Sequence, residues 1–117
     1  MANEKIYGMK FAKVYPLLVA KAERKGRTRT EVDGAASWLT GRTPDEIEEL
    51  LKGDSDYGSF FTDAPCLNPE RFLVKGSVCG VKVELIEESP MREIRILDKL
   101  VDEIAKGKPM EKVLRRS

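Results

Sequence analysis

Apolar residues recur every three or four positions along most of the chain, the spacing of helices rather than strands. The longest run is Ile94, Leu97, Val101 and Ile104, widened by Leu100 and Ala105. Ser89 can cap it, Pro90 suits its first position and Gly107 its end, which predicts a helix over about 90–106. Near the N-terminus, Phe11, Tyr15, Leu18, Val19 and Ala22 share a helical face that Pro16 interrupts. Either that helix kinks, or it starts at Pro16. Two helix joints follow. Gly26-Arg27-Thr28-Arg29-Thr30-Glu31-Val32 is echoed by Gly41-Arg42-Thr43-Pro44-Asp45-Glu46-Ile47. In each, a glycine suits a helix end, and a threonine stands three residues before a glutamate, the capping-box spacing. Helices are predicted at about 29–40 and 44–52, the first helix ending near Lys25.

Asp56 to Asp63 reads as a short helix burying Phe60 and Phe61, and Ala64–Pro69 as a loop. Residues 70–88 carry two patterns at once. Val81, Val83 and Leu85 alternate as in a strand, whereas Val74, Val78, Val81 and Leu85 are spaced as in a helix. A strand needs a partner and the chain offers no second convincing one, so residues 74–87 are expected to be helical. Pairing between chains is the exception that would defeat this. Pro109 can open a short final helix. The expected fold is mostly α, six or seven helices in a single compact domain over 1–117. The alternative is α+β with a short strand near 78–85.

Composition agrees with a globular chain: 117 residues, 41% hydrophobic and 35% charged. The net charge of +1 favours no nucleic acid, membrane or acidic substrate. Charge is uneven, with 9 Lys/Arg against 4 Asp/Glu over 1–42, 2 against 8 over 43–74, and 10 against 8 over 75–117. No run approaches the ~20 apolar residues of a membrane span, and no apolar signal region follows the first residues. A cytoplasmic protein is expected. Histidine is absent, which excludes Ser-His-Asp and Cys-His pairs within one chain. Two cysteines, Cys66 and Cys79, cannot alone build a four-ligand zinc site. No metal and no cofactor is expected.

The candidate chemistry is sparse. Cys79, in Gly76-Ser77-Val78-Cys79-Gly80, could be a nucleophile if its thiol were activated, but a small buried core residue is the plainer account, and the same holds for Cys66. The ending of a phosphate-binding P-loop is missing. Glu84, Glu87, Glu88, Asp98 and Asp102 fit solvated or salt-bridged faces, with Arg95 spaced to pair with Asp98. Lys21, Arg24, Lys25, Arg27 and Arg29 cluster at the first joint, where Lys25, Arg27 and Arg29 would be the nucleic-acid contacts of a helix–turn–helix. The acidic third helix opposes that use. Trp38, Phe60, Phe61 and Phe72 are expected in the core. Ile94, Leu97, Val101 and Ile104 make the narrow seam that two chains can share, so a homodimer through that helix is expected, with Lys99 and Glu103 at its edge; the alternative is that Leu100 widens the stripe enough to cover the chain's own core.

Several stretches resemble one group of bacterial proteins. They include Ile6-Tyr7, Val14-Tyr15-Pro16, the run Lys21-Ala22-Glu23-Arg24-Lys25-Gly26-Arg27-Thr28, Trp38-Leu39-Thr40-Gly41, Leu67-Asn68-Pro69, Cys79-Gly80-Val81, Leu97-Asp98-Lys99-Leu100 and Ala105-Lys106-Gly107-Lys108. The chain resembles the uncharacterised family catalogued as domain of unknown function two thousand two hundred. That resemblance implies a stand-alone bacterial protein and assigns no activity or site residues. The leading expectation is a non-enzymatic interaction or regulatory protein of the bacterial cytosol. The alternatives are a weak nucleic-acid-binding module using the turn at 21–29 and a thiol-dependent enzyme centred on Cys79.

Overall fold

Both capping boxes form in the computed structural model, which describes residues 2–78 and 80–115. Helix α1 spans Ala2–Tyr7 and α2 Phe11–Glu23, and α2 runs through Pro16 rather than starting there. At the N-terminus of α3 (Arg29–Thr40), the Glu31 N–H donates to the Thr28 hydroxyl and the Glu31 carboxylate accepts from the Thr28 N–H. Thr43 and Glu46 repeat this at α4 (Pro44–Leu51). Each cap satisfies backbone donors that a helix start leaves open, at about 1 kcal/mol apiece. Gly41 closes α3 at φ 77°, and the loop beyond completes the end: the N–H groups of Cys66 and Asn68 donate to the carbonyls of Thr40 and Leu39.

Helix α5 spans Tyr57–Thr62, capped by Asp56. It sets Phe60 against Phe11 with ring centres 4.5 Å apart, and Phe11 against Tyr15 at 4.9 Å. Phe60 and Phe61 meet edge-to-face at 5.1 Å. Helix α6 spans Met91–Ala105 and α7 Met110–Val113, which makes seven α-helices among the described residues. Helix α6 is the common neighbour of α2, α3, α5 and α7.

The stripe on α6 is internal. Ile94, Leu97, Val101 and Ile104 are each 0% exposed, packed within the chain's own core. They are not a seam for a second copy. Ile96, Leu100 and Ala105 are buried beside them, so the apolar face is too wide for a two-helix seam and is covered from several sides. Lys99 and Glu103 likewise pair within the chain, at 3.9 Å.

The helix expected over 74–87 does not form. A 3-10 turn at Pro69–Leu73 leads to a hairpin of β1 (Ser77–Val78) and β2 (Val81–Lys82), followed by a second 3-10 turn at Val83–Leu85. The register pairs Ser77 with Lys82 and Val78 with Val81, so the missing partner strand lies four residues away in the same chain. Two-residue strands are too short to write a period into the sequence. Gly80 takes φ 78° in the connecting turn, and the Val83 N–H donates to the Gly76 carbonyl at 3.0 Å. Val74, Val78 and Val83 are buried while Val81 and Leu85 are exposed, which follows neither a helical nor a strand period.

Gly41 and Gly26 separate two costs of a side chain. Both have positive φ, worth about 1–2 kcal/mol against an L-residue. A Cβ on Gly41 would also lie 3.0 Å from the Cys66 carbonyl oxygen, whereas one on Gly26 meets nothing within 4 Å. Urea denaturation should therefore show Gly41→Ala losing clearly more stability than Gly26→Ala; equal losses would mean that the α3 end and the 66–68 loop are not in tight contact.

Candidate functional site

The joint between α2 and α3 was the strongest charged candidate, and its Arg27 and Arg29 are paired within the chain. The Arg27 guanidinium binds both oxygens of Glu31, with Nε at 3.0 Å from each, and donates to the carbonyls of Ile104 at 2.8 Å and Lys108 at 3.0 Å. It ties the first joint to the end of α6. Arg29 pairs with Glu48 on α4 and lies 3.4 Å from Asp33. Lys25 is exposed and makes no ion pair among the described residues. The guanidinium of Arg27 thus has its donors committed to groups of its own chain, and Lys25 does not join the two arginines in a common cluster. Cys79, the proposed thiol, lies outside the described residues. Cys66 is exposed.

The carboxylates on α6 are also engaged. Asp98 is pushed up by burial, against the opposing pull of Arg95 at 3.4 Å and of Lys21. Asp102 is held down despite burial by Lys106 at 3.0 Å and Lys21 at 3.3 Å. Glu103 is buried among Lys99, Lys108 and Arg115, with Arg115 Nη2 at 2.7 Å, and these cations hold it down against burial. Glu93 is 0% exposed and takes Arg71 Nε at 3.1 Å and the Ser89 hydroxyl. Among the described residues no group of three or more acids and cysteines could hold a metal ion.

Two buried phenols complete the polar interior. Tyr15 donates to Asp33 at 2.5 Å, and burial followed by that hydrogen bond pushes it well above the usual tyrosine range. The Tyr57 hydroxyl is buried with no hydrogen-bond partner among the described residues, and burial pushes it up as well. A cavity of about 160 Å³ lies against Phe11 and Phe60 beneath Arg42, Ser55, Ser59 and Asp63. Arg42 Nη2 and Nε donate to the Phe60 carbonyl at 3.2 and 3.3 Å, so its guanidinium is part of that wall.

What the sequence did not reveal is an apolar surface on the segment 69–91. Phe72, expected in the core with Trp38, Phe60 and Phe61, is 51% exposed, and Leu85 is 70% exposed. Phe60 and Phe61 are buried and Trp38 is half-buried. Leu73 and Val81 add to the exposed set. Val81, Leu85, Ile86 and Met91 line one open depression of about 440 Å³. Ile86 also walls a second, of about 260 Å³, with Phe72 and Val74. The two depressions share Ile86 as a wall residue. Arg71 and Arg92 stand 4.4 and 5.2 Å from the Phe72 ring centre, and Arg92 is anchored to the Ile86 carbonyl at 2.9 Å. The only signal available in advance was a leftover one: Phe72, Val81 and Leu85 are apolar residues of a segment with no single period to bury them.

The described residues thus form a helical domain with an apolar face on its one irregular segment. The chain belongs to the DUF2200 family, described as an uncharacterized protein conserved in bacteria, which it matches over residues 5–115. It is similar to the uncharacterized protein SP1917, whose crystal structure matches with a TM-score of 0.91 at 49% identity, covering 95% of this chain and 91% of that one. No curated protein matches the chain. Neither the family nor the similar structure carries an assigned activity. Among the described residues no helix is long and apolar enough to cross a membrane.

The Arg27–Glu31 pair makes a pH prediction. The Arg27 guanidinium, with the Thr28 N–H, lowers the Glu31 carboxyl to about 2. A depressed carboxyl stabilises the fold above its unfolded pKa and loses that contribution as pH falls through the folded value. Gln keeps the capping-box geometry but not the charge. Glu31→Gln should therefore be less stable than wild type at neutral pH, with the gap narrowing between about pH 4.5 and 2. A pH-independent gap in urea midpoints would show that the charge does not matter.

Proposed function

We propose that the protein is a non-enzymatic interaction or regulatory protein of the bacterial cytosol, and that it docks a partner through the apolar face of Phe72, Val81, Leu85 and Ile86. The observation that carries this reading is the exposure of Phe72, Val81 and Leu85 around the half-buried Ile86, on a molecule whose other apolar residues are mostly buried. Soluble proteins seldom leave contiguous apolar surface open without a use for it. The acids and bases that could have supplied chemistry instead support the reading by their engagement, since Glu93, Asp102 and Glu103 each hold a cation of the same chain. A nucleic-acid role for the turn at 21–29 finds less support, because Arg27 and Arg29 already face Glu31 and Glu48.

A photo-crosslinking amino acid placed at Leu85 tests the reading in living bacteria, with Lys13 on α2 as the control position. Leu85 should give a discrete crosslinked product that Lys13 does not. No product at Leu85, or the same products at both positions, would refute a docking role for this face.

A further inference from the structure

We propose that the cavity between the start of α2, α4 and α5 binds a small zwitterion of amino-acid size. It shares no wall residue with the docking face, so the two sites are separate. Phe11, Leu50 and Phe60 supply its apolar lining. The polar lining is Arg42, Ser55, Ser59 and Asp63, and backbone contacts hold it in place. The Ser55 carbonyl accepts the Phe11 N–H at 2.9 Å, and the Asp63 N–H donates to the Ser59 carbonyl at 2.9 Å. Ser59 itself is engaged by Asp56, the cap of α5. The side chains of Ser55 and Asp63 make no hydrogen bond or ion pair among the described residues. Arg42 uses Nε and Nη2 on the Phe60 carbonyl, which leaves Nη1 to a ligand. The Thr43 N–H and hydroxyl hold the Glu46 carboxyl down, with only a lesser pull from Arg42 and no ion pair between the two.

Arg42 and Asp63 thus line one cavity with opposite charges that do not neutralise each other. A molecule with a carboxylate for Arg42 and an ammonium for Asp63 satisfies both, and the Ser55 hydroxyl can serve either group. A simple anion fits less well, because Asp63 stands in the cavity and Asp45, Glu46 and Glu49 border Arg42 on its other side. A simple cation leaves the guanidinium unmatched. The volume, about 160 Å³, suits about six non-hydrogen atoms, since an apolar cavity of ~150 Å³ takes up benzene.

Titration of the isotope-labelled chain with glycine, L-alanine and L-serine, followed through backbone amide NMR shifts, is the test. The signals of Ser55, Ser59, Phe60 and Asp63 should move with at least one of the three and saturate at millimolar concentration. Propionate and propylamine each carry one of the two charges and should bind about tenfold more weakly, as the loss of one charge-assisted contact implies. Asp63→Asn removes the partner of the ammonium and an acid that repels the carboxylate. It should bind the amino acid about tenfold more weakly and propionate no more weakly than wild type does. Asp63 is exposed and its side chain unpaired among the described residues, so this variant should keep the fold. Arg42→Gln should lose both the amino acid and propionate. Should it also disturb the fold by releasing the Phe60 carbonyl, the Asp63 variant decides alone. The proposal is overturned if none of the amino acids moves these signals at tens of millimolar, or if the shifts fall only on other parts of the chain. It is overturned equally if propionate or propylamine matches the amino acids, or if Asp63→Asn binds them as wild type does or weakens propionate to the same degree.

Discussion

The structure depends on the need to cover α6 on nearly every side. Its fifteen residues bury ten side chains, among them Ile94, Ile96, Leu97, Leu100, Val101 and Ile104. Each of those six contributes about 1.5–3 kcal/mol when removed from water. One neighbouring helix cannot shield so broad an apolar surface. The chain therefore surrounds α6 with α2, α3, α5, the hairpin and α7. The same burial takes in Glu93 and Glu103, and a buried carboxylate must have cations and donors brought to it. Arg71 from the 3-10 turn and Arg115 beyond α7 are those cations. Breaking either pair leaves a charge inside, so the two carboxylates fix where the ends of the wrapping lie.

Arg27 does the corresponding work for the joint between α2 and α3. It binds Glu31 on its own helix start and the last carbonyls around α6, and so one side chain serves the cap, the ion pair and the docking of the joint. The carbonyls at a helix end carry partial negative charge and accept cations well. A basic cluster at a helix–turn–helix joint looks in sequence like a surface prepared for phosphate. Here its best-placed arginine is answered by an acid and two carbonyls of the same chain. Residue spacing cannot distinguish the two uses, because the carbonyls of Ile104 and Lys108 are contributed from about eighty positions away.

This marks what was legible. Thr28, Glu31, Thr43 and Glu46 announced both joints because a capping box is local, written within four residues. The α6 stripe was legible as a helix for the same reason. Its use was not: whether Ile94, Leu97, Val101 and Ile104 face a second chain or α2 and α3 is decided by elements far off in sequence, although the extra width given by Leu100 and Ala105 pointed inward. The hairpin failed on length. β1 and β2 hold two residues each, and their order comes from a turn at Gly80 and hydrogen bonds such as Val83 to Gly76, not from alternation. The Arg95–Asp98 pair was legible because it lies within one helical turn, whereas the partners of Arg27 at Ile104 and Lys108 were not.

The irregular strap between α5 and α6 then explains why the exposed face sits where it does. A helix or strand sends apolar residues to one side by its period, and the polar positions fall on the other. Residues 69–86 have no sustained period: a 3-10 turn, a two-by-two hairpin and another 3-10 turn follow in succession. Val74, Val78 and Val83 reach inward to α6 and the core, and the residues between them must point elsewhere. The outward positions include the polar Lys75, Ser77, Lys82 and Glu84, but also the apolar Phe72, Leu73, Val81 and Leu85. Nothing in the packing of α6 requires large apolar side chains on the outer surface, and Phe72 is even steadied there by Arg71, which reaches past it to Glu93. The inner face of the strap answers to the core. The outer face is not explained by the core, and the docking proposed above rests on it.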